Sequence, residues 1–157
     1  MKRNQSTIQQ IFPKLVKSPS VLLVVSPYYR RITDQLVKGA VEVLNTVEAK
    51  IESTEVPGAL EIPTAIHLAA AHFSCFVALG CVIRGETSHY ETVSTESARA
   101  ISYLGLNGIC IGNGILTVEN FEQAALRANP ASQNKGGEAA NAALRLLELK
   151  KTFSNSV

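Results

Sequence analysis

Five consecutive apolar residues, Val21-Leu22-Leu23-Val24-Val25, leave few options for the fold around them. The run is too short for a buried helix, and it lacks the polar alternation of a strand with one wet face. It therefore reads as a strand buried on both sides, the kind found in parallel sheets covered by helices. The same signal returns at Cys75–Cys81 and, more briefly, at Ile109–Ile111, with a shorter strand at about Lys50–Val56. Between these runs the apolar spacing changes from strand-like to helical. Ile32, Leu36, Val37, Ala40, Val43, Leu44 and Val47 recur at helical intervals from Ile32 to about Lys50. Further helices are predicted over Glu61 to about His72, with Pro63 in the first turn, and over His89–Leu104, with Val93, Ala98, Ile101 and Leu104 facing inward. Two more follow, from Val118–Asn120 to Asn129-Pro130 and from Lys135 to Lys151.

Four cycles of strand then helix, joined by short links, specify an α/β fold with a parallel sheet and helices on both faces. The 157 residues make one such domain over 20–153, between tails at 1–19 and 154–157. In the first tail, Lys14-Leu15-Val16-Lys17 lies between Pro13 and Pro19 and has the makings of a short strand that pairs on another subunit. Cys75, Cys81 and Cys110 have no CxxC spacing and read as buried small hydrophobes in a reducing compartment. His67, His72 and His89 show no paired ligand spacing, so no metal site is expected. Lys2 and Arg3 precede no apolar core of a signal peptide, and no run has the length of a membrane span. A net charge of +2 spread along the chain argues against nucleic acid. The expectation is a cytoplasmic protein without membrane or nucleic-acid partners.

Ligands of such sheets bind outside the carboxyl ends of the strands. The segments expected there are Ser26–Arg31, Val56–Glu61, Cys81–His89 and Ile111–Thr117, with Gly112-Asn113-Gly114 opening the chain after the fourth strand. Tyr28 or Tyr29 offers a face for a planar ring, or both cap the core. Glu61, between Pro57 and Pro63, either accepts hydrogen bonds from a ligand or only favours its helix start. Arg84-Gly85-Glu86-Thr87-Ser88-His89 combines anion donors with a titratable base, or is a solvated turn. Arg127 can fork onto a phosphate or complement a helix end, and Lys135 is a second phosphate partner or a solvated charge.

Four motifs then carry a resemblance: Val-Pro-Gly-Ala-Leu-Glu-Ile-Pro (56–63), Gly-Cys-Val-Ile-Arg-Gly-Glu-Thr-Ser-His-Tyr-Glu (80–91), Gly-Ile-Leu-Thr-Val-Glu-Asn-Phe-Glu-Gln-Ala (114–124) and Asn-Lys-Gly-Gly-Glu-Ala-Ala (134–140). In this order they resemble the lumazine synthase family, over about Val21 to Thr152. The resemblance implies a three-layer, flavodoxin-like αβα sandwich. It also implies condensation of 5-amino-6-(D-ribitylamino)uracil with 3,4-dihydroxy-2-butanone 4-phosphate, which releases phosphate and water in the penultimate step of riboflavin biosynthesis. By the same resemblance Tyr28 stacks on the pyrimidine, and Ala59, Leu60 and Glu61 hold its ring and ribityl chain. Cys81, Val82 and Ile83 line the pocket, Glu86, Thr87 and Arg127 take the phosphate, and His89 transfers protons. Asn113 lies beside the uracil ring and Lys135 nearby. Tyr28 stands where Phe is common, and Leu60 and Asn113 stand where aromatics are frequent. No cofactor is implied. The implied assembly is a homopentamer with sites between subunits, with a sixty-subunit shell of twelve pentamers left open. Two other readings compete: a catalytically weak relative that binds a flavin or assembles as a scaffold, and a flavodoxin-like electron carrier or nucleotide binder. The latter is disfavoured because the loop after the first strand has no phosphate-cradling Gly/Ser/Thr cluster.

Overall fold

The computed structural model describes residues 17–155, so the strand expected around Lys14–Lys17 falls almost wholly outside the described residues. Four strands, β1 (Ser20–Val25), β2 (Lys50–Glu55), β3 (Cys75–Ile83) and β4 (Ile111–Val118), form one sheet in the order β2-β1-β3-β4. Every pair is parallel. Five helices connect and cover them: α1 (Arg30–Asn45), α2 (Ile62–Ala69), α3 (His89–Leu106), α4 (Phe121–Ala128) and α5 (Lys135–Ser154). Short 3-10 turns at Pro27–Tyr29 and Ala59–Glu61 lead into α1 and α2. The result is the three-layer, flavodoxin-like sandwich.

The unbroken apolar run of β1 follows from its central place. Val21, Leu23 and Val25 join the core under α1, α4 and α5, while Leu22 and Val24 join the core under α2 and α3. β3 divides in the same way, with Cys75, Val77, Leu79 and Cys81 on one side and Phe76 and Ala78 on the other. Helix α1 buries Ile32, Leu36, Ala40, Val43 and Leu44, as its spacing requires. It ends at Asn45, five residues before the predicted end. Glu48 takes a left-handed backbone (φ 54°), and the Ala49 N–H returns to the Leu44 carbonyl. This is a helix stop without the usual glycine, so composition did not signal it.

Two other expectations need correction. Gly112-Asn113-Gly114 does not open the chain, because β4 runs unbroken from Ile111 to Val118. Glycine is needed there because α5 lies directly on the strand: a Cβ at Gly112 would meet the Ala139 carbonyl, and one at Gly114 would meet the side chains of Leu79 and Ala139. The residues that leave the fourth strand at the rim therefore begin after Val118. On α3 the inward residues are Val93, Ser97, Ile101 and Leu104, with Ala98 exposed.

Candidate active site

The carboxyl rim of the sheet is stepped. β1 ends at Val25, which pairs with Leu79, and the Ser26 N–H also reaches the Leu79 carbonyl. β3 then continues to Ile83 beside β4, four residues or about 13 Å past Leu79. That extension, on a strand packed against the Pro27–Tyr29 turn, forms a wall at the rim. Cys81 in the wall is buried, and burial pushes its thiol up to about 11, so it serves as an apolar surface and not as a nucleophile. Val82 and Ile83 are half-buried beside it.

Tyr28 projects from the turn, 75% exposed, its ring T-shaped to that of Tyr29 at a centroid distance of 5.0 Å. This orientation leaves ring area free for a planar partner. From the neighbouring strand, the Ala59–Glu61 turn contributes a buried Ala59, a 39% exposed Leu60 and an exposed Glu61. The Glu61 carboxylate lies over Gly58, where a Cβ would come within 2.9 Å of Oε2. Glu86 and Thr87 on the link from β3 to α3 and His89 at the start of α3 are all exposed, and the His89 N–H donates to Thr87 Oγ1 at 3.4 Å. The rim thus gathers an aromatic face, a carboxylate, an apolar wall and an imidazole at a helix start.

The remaining expected site residues lie elsewhere. Asn113 pairs with Ala78, five residues or about 17 Å short of the end of β4. It stands on the edge strand of the described sheet, and its Oδ1 accepts the Ile115 N–H at 3.0 Å. With Glu138 and Ala142 it borders a cleft of about 300 Å³ that Lys135 also lines, while Ser94 and Thr117 border a second cleft of about 240 Å³ that Asn113 shares. Lys135 Nζ donates to Glu138 at 2.6 Å. Arg127 occupies the last turn of α4, about 9 Å along the helix from Phe121, and is half-buried. One nitrogen, Nη1, donates to the Gln123 carbonyl at 3.4 Å.

Sequence reasoning missed Glu91 and Glu119. Arg84, whose role the sequence left undecided, bonds both of them. The β3–β4 register puts Ile83 beside Val118, and hence Arg84 beside Glu119. No spacing along the chain announces that contact.

Residues 18–151 match the family described as 6,7-dimethyl-8-ribityllumazine synthase. The chain belongs to that family. Among curated relatives of that name, the one from Sphingopyxis alaskensis is 53% identical over 135 residues, covering 85% of this chain and 96% of the relative. The one from Bartonella tribocorum is 51% identical over 144 residues, covering 89% and 95%. The one from Jannaschia sp. strain CCS1 is 49% identical over 143 residues, covering 90% and 80%. Membership of the lumazine synthase family makes the chain a transferase of riboflavin biosynthesis. Among the described residues, no helix is long and apolar enough to cross a membrane.

Proposed function

We propose that the lumazine synthase reaction on this chain uses a site completed by a second copy. The chain's own rim would hold the pyrimidine. Tyr28 stacks on the ring of 5-amino-6-(D-ribitylamino)uracil, while Ala59, Leu60 and Glu61 meet the ring and ribityl chain against the wall of Cys81, Val82 and Ile83. Glu86 and Thr87 hold the phosphate of 3,4-dihydroxy-2-butanone 4-phosphate, with His89 at hand to move protons. Asn113, Arg127 and Lys135 reach the same substrates from a neighbouring copy, in a homopentamer at least. The observation that carries this reading is the separation of Asn113, on the edge strand β4 of the described sheet, from the rim.

The chemistry suits those parts. The amine of the pyrimidine attacks the ketone and one water leaves to give an imine. Phosphate is eliminated to leave an enol that tautomerises to a carbonyl, and the second nitrogen attacks that carbonyl and closes the ring with loss of a second water. Both reactants are reactive already, so holding them in register supplies much of the acceleration. Proton transfer by His89 adds a factor on the order of 10² to 10⁴. The buried free thiols of Cys75, Cys81 and Cys110 support a reducing, cytoplasmic setting.

Subunit complementation tests the shared site. His89→Ala damages the rim and Arg127→Ala the opposite edge. Chains co-expressed in equal amounts should regain activity above both parents, toward about one quarter of the unsubstituted enzyme, because one site in four pairs an intact rim with an intact edge. Mixed oligomers no more active than the parents' average would show that each chain builds its site alone.

A further inference from the structure

Among the described residues, the link between β3 and α3 is held at its ends and not along its length. Glu86, Thr87, Ser88 and the Gly85 backbone are exposed, and a Cβ on Gly85 would touch nothing within 4 Å. Packing within the chain therefore does not set the shape of a loop whose donors must face an anion. Arg84 begins the loop, and its backbone N–H donates to the Val118 carbonyl at 3.0 Å. Its side chain reaches further. Nε donates to Glu119 Oε2 at 2.9 Å, just past β4, and Nη1 donates to Glu91 Oε1 in the first turn of α3. The guanidinium carbon also lies 4.1 Å from the centre of the Tyr90 ring. One planar group thus ties the ends of β3 and β4 to the helix turn that begins with His89.

We infer that Arg84 is a positioning residue: by bridging Glu119 and Glu91 it fixes the span and orientation of the 85–89 loop, so that the loop meets the phosphate of the substrate in a prepared shape. This rests on the reading of Glu86 and Thr87 as the phosphate seat. A lysine replaces it only in part, because a single ammonium lacks the fork that reaches two carboxylates while stacking on a ring. Loss of Arg84 also leaves Glu91 and Glu119 without their cation beside an anion site. The ion pairs themselves are solvent-exposed, with Arg84, Glu91 and Glu119 side chains at 39%, 54% and 58%. Pairs so placed contribute little to global stability, so the consequence belongs to the loop.

The experiment uses the full chain in its native assembly. Arg84→Gln, Arg84→Lys and Thr87→Ala are compared for KM of each substrate, for Ki of inorganic phosphate against the phosphorylated substrate, and for Tm. Arg84→Gln should raise the phosphate Ki and the KM of the phosphorylated substrate about tenfold, in keeping with the cost of misplacing a binding group by a fraction of an ångström. The KM of the pyrimidine should stay within about twofold and Tm should move little. Arg84→Lys should recover only part of the loss. An unchanged phosphate Ki in Arg84→Gln beside a raised one in Thr87→Ala would overturn the positioning role. So would full recovery with lysine, or an equal rise in both KM values. An unchanged Ki in Thr87→Ala would instead overturn the phosphate-seat reading, and this inference with it.

Discussion

Gly112→Ala adds a single methyl group at the closest approach of helix to sheet. A Cβ on Gly112 would land on the Ala139 carbonyl oxygen, well inside the 3.0 Å that real Cβ atoms keep, with the Ala143 nitrogen 3.2 Å away. Both obstacles are backbone, so no side chain can swing aside. Helix α5 must retreat by on the order of 1 Å, which forfeits roughly a quarter to a half of the dispersion attraction at the contacts it opens. The residues at stake are Ala139, Ala140, Ala143, Leu144 and Leu147, all buried on α5. Overpacking a close-packed core costs about 1–3 kcal/mol, and a backbone collision belongs at the upper end. For a chain of this size about 3 kcal/mol lowers Tm by roughly 10 °C. Calorimetry at one fixed protein concentration measures it, since assembly makes Tm concentration-dependent. Gly105→Ala is the control: the same methyl group, on α3, meets nothing within 4 Å. It should stabilise by about 0.5–1 kcal/mol, because alanine loses less backbone entropy in a helix. A Gly112→Ala protein melting within about 2 °C of the parent would refute the packing argument. Two variants shifted in the same direction would do the same.

Two further outcomes follow from the ionisable groups. Arg30 donates to both oxygens of Glu55, at 3.0 and 3.1 Å, and that hydrogen bonding holds the Glu55 carboxyl below its ordinary value of 4.5. A carboxyl depressed on folding contributes its stabilisation in full above the unfolded value and loses it as pH falls through the folded one. The small stability difference between Arg30→Gln and the parent should therefore be present at neutral pH and fade below 4.5; denaturant titrations that find it constant into acid would contradict the assignment. Cys81, pushed up to about 11 by burial, is thiolate to roughly one part in a thousand at pH 8. Iodoacetamide should label it only after unfolding, as mass spectrometry of the labelled peptides would show; rapid labelling of the folded protein would mean that the wall is open.

Much of this protein is determined locally. The unbroken apolar run at Val21–Val25 had to be a doubly covered strand, and the helical spacing from Ile32 had to place Leu36, Ala40 and Leu44 on one face. These patterns depend on neighbours in the chain, so periodicity carries them. The motif at 80–91 also announced a polar link between a buried strand and a helix, which is what β3 and α3 provide. What tertiary structure decided was everything that depends on distance across the sheet. Gly112-Asn113-Gly114 looks like a turn by composition, yet it is mid-strand because the backbone of α5 lies against it. Asn113 therefore leaves the rim for the middle of the edge strand β4. Arg84 likewise gains its partners only through the register that sets Ile83 beside Val118, with Glu119 thirty-five residues away along the chain. A sequence specifies such contacts through the packing of the whole fold, and no local spacing records them.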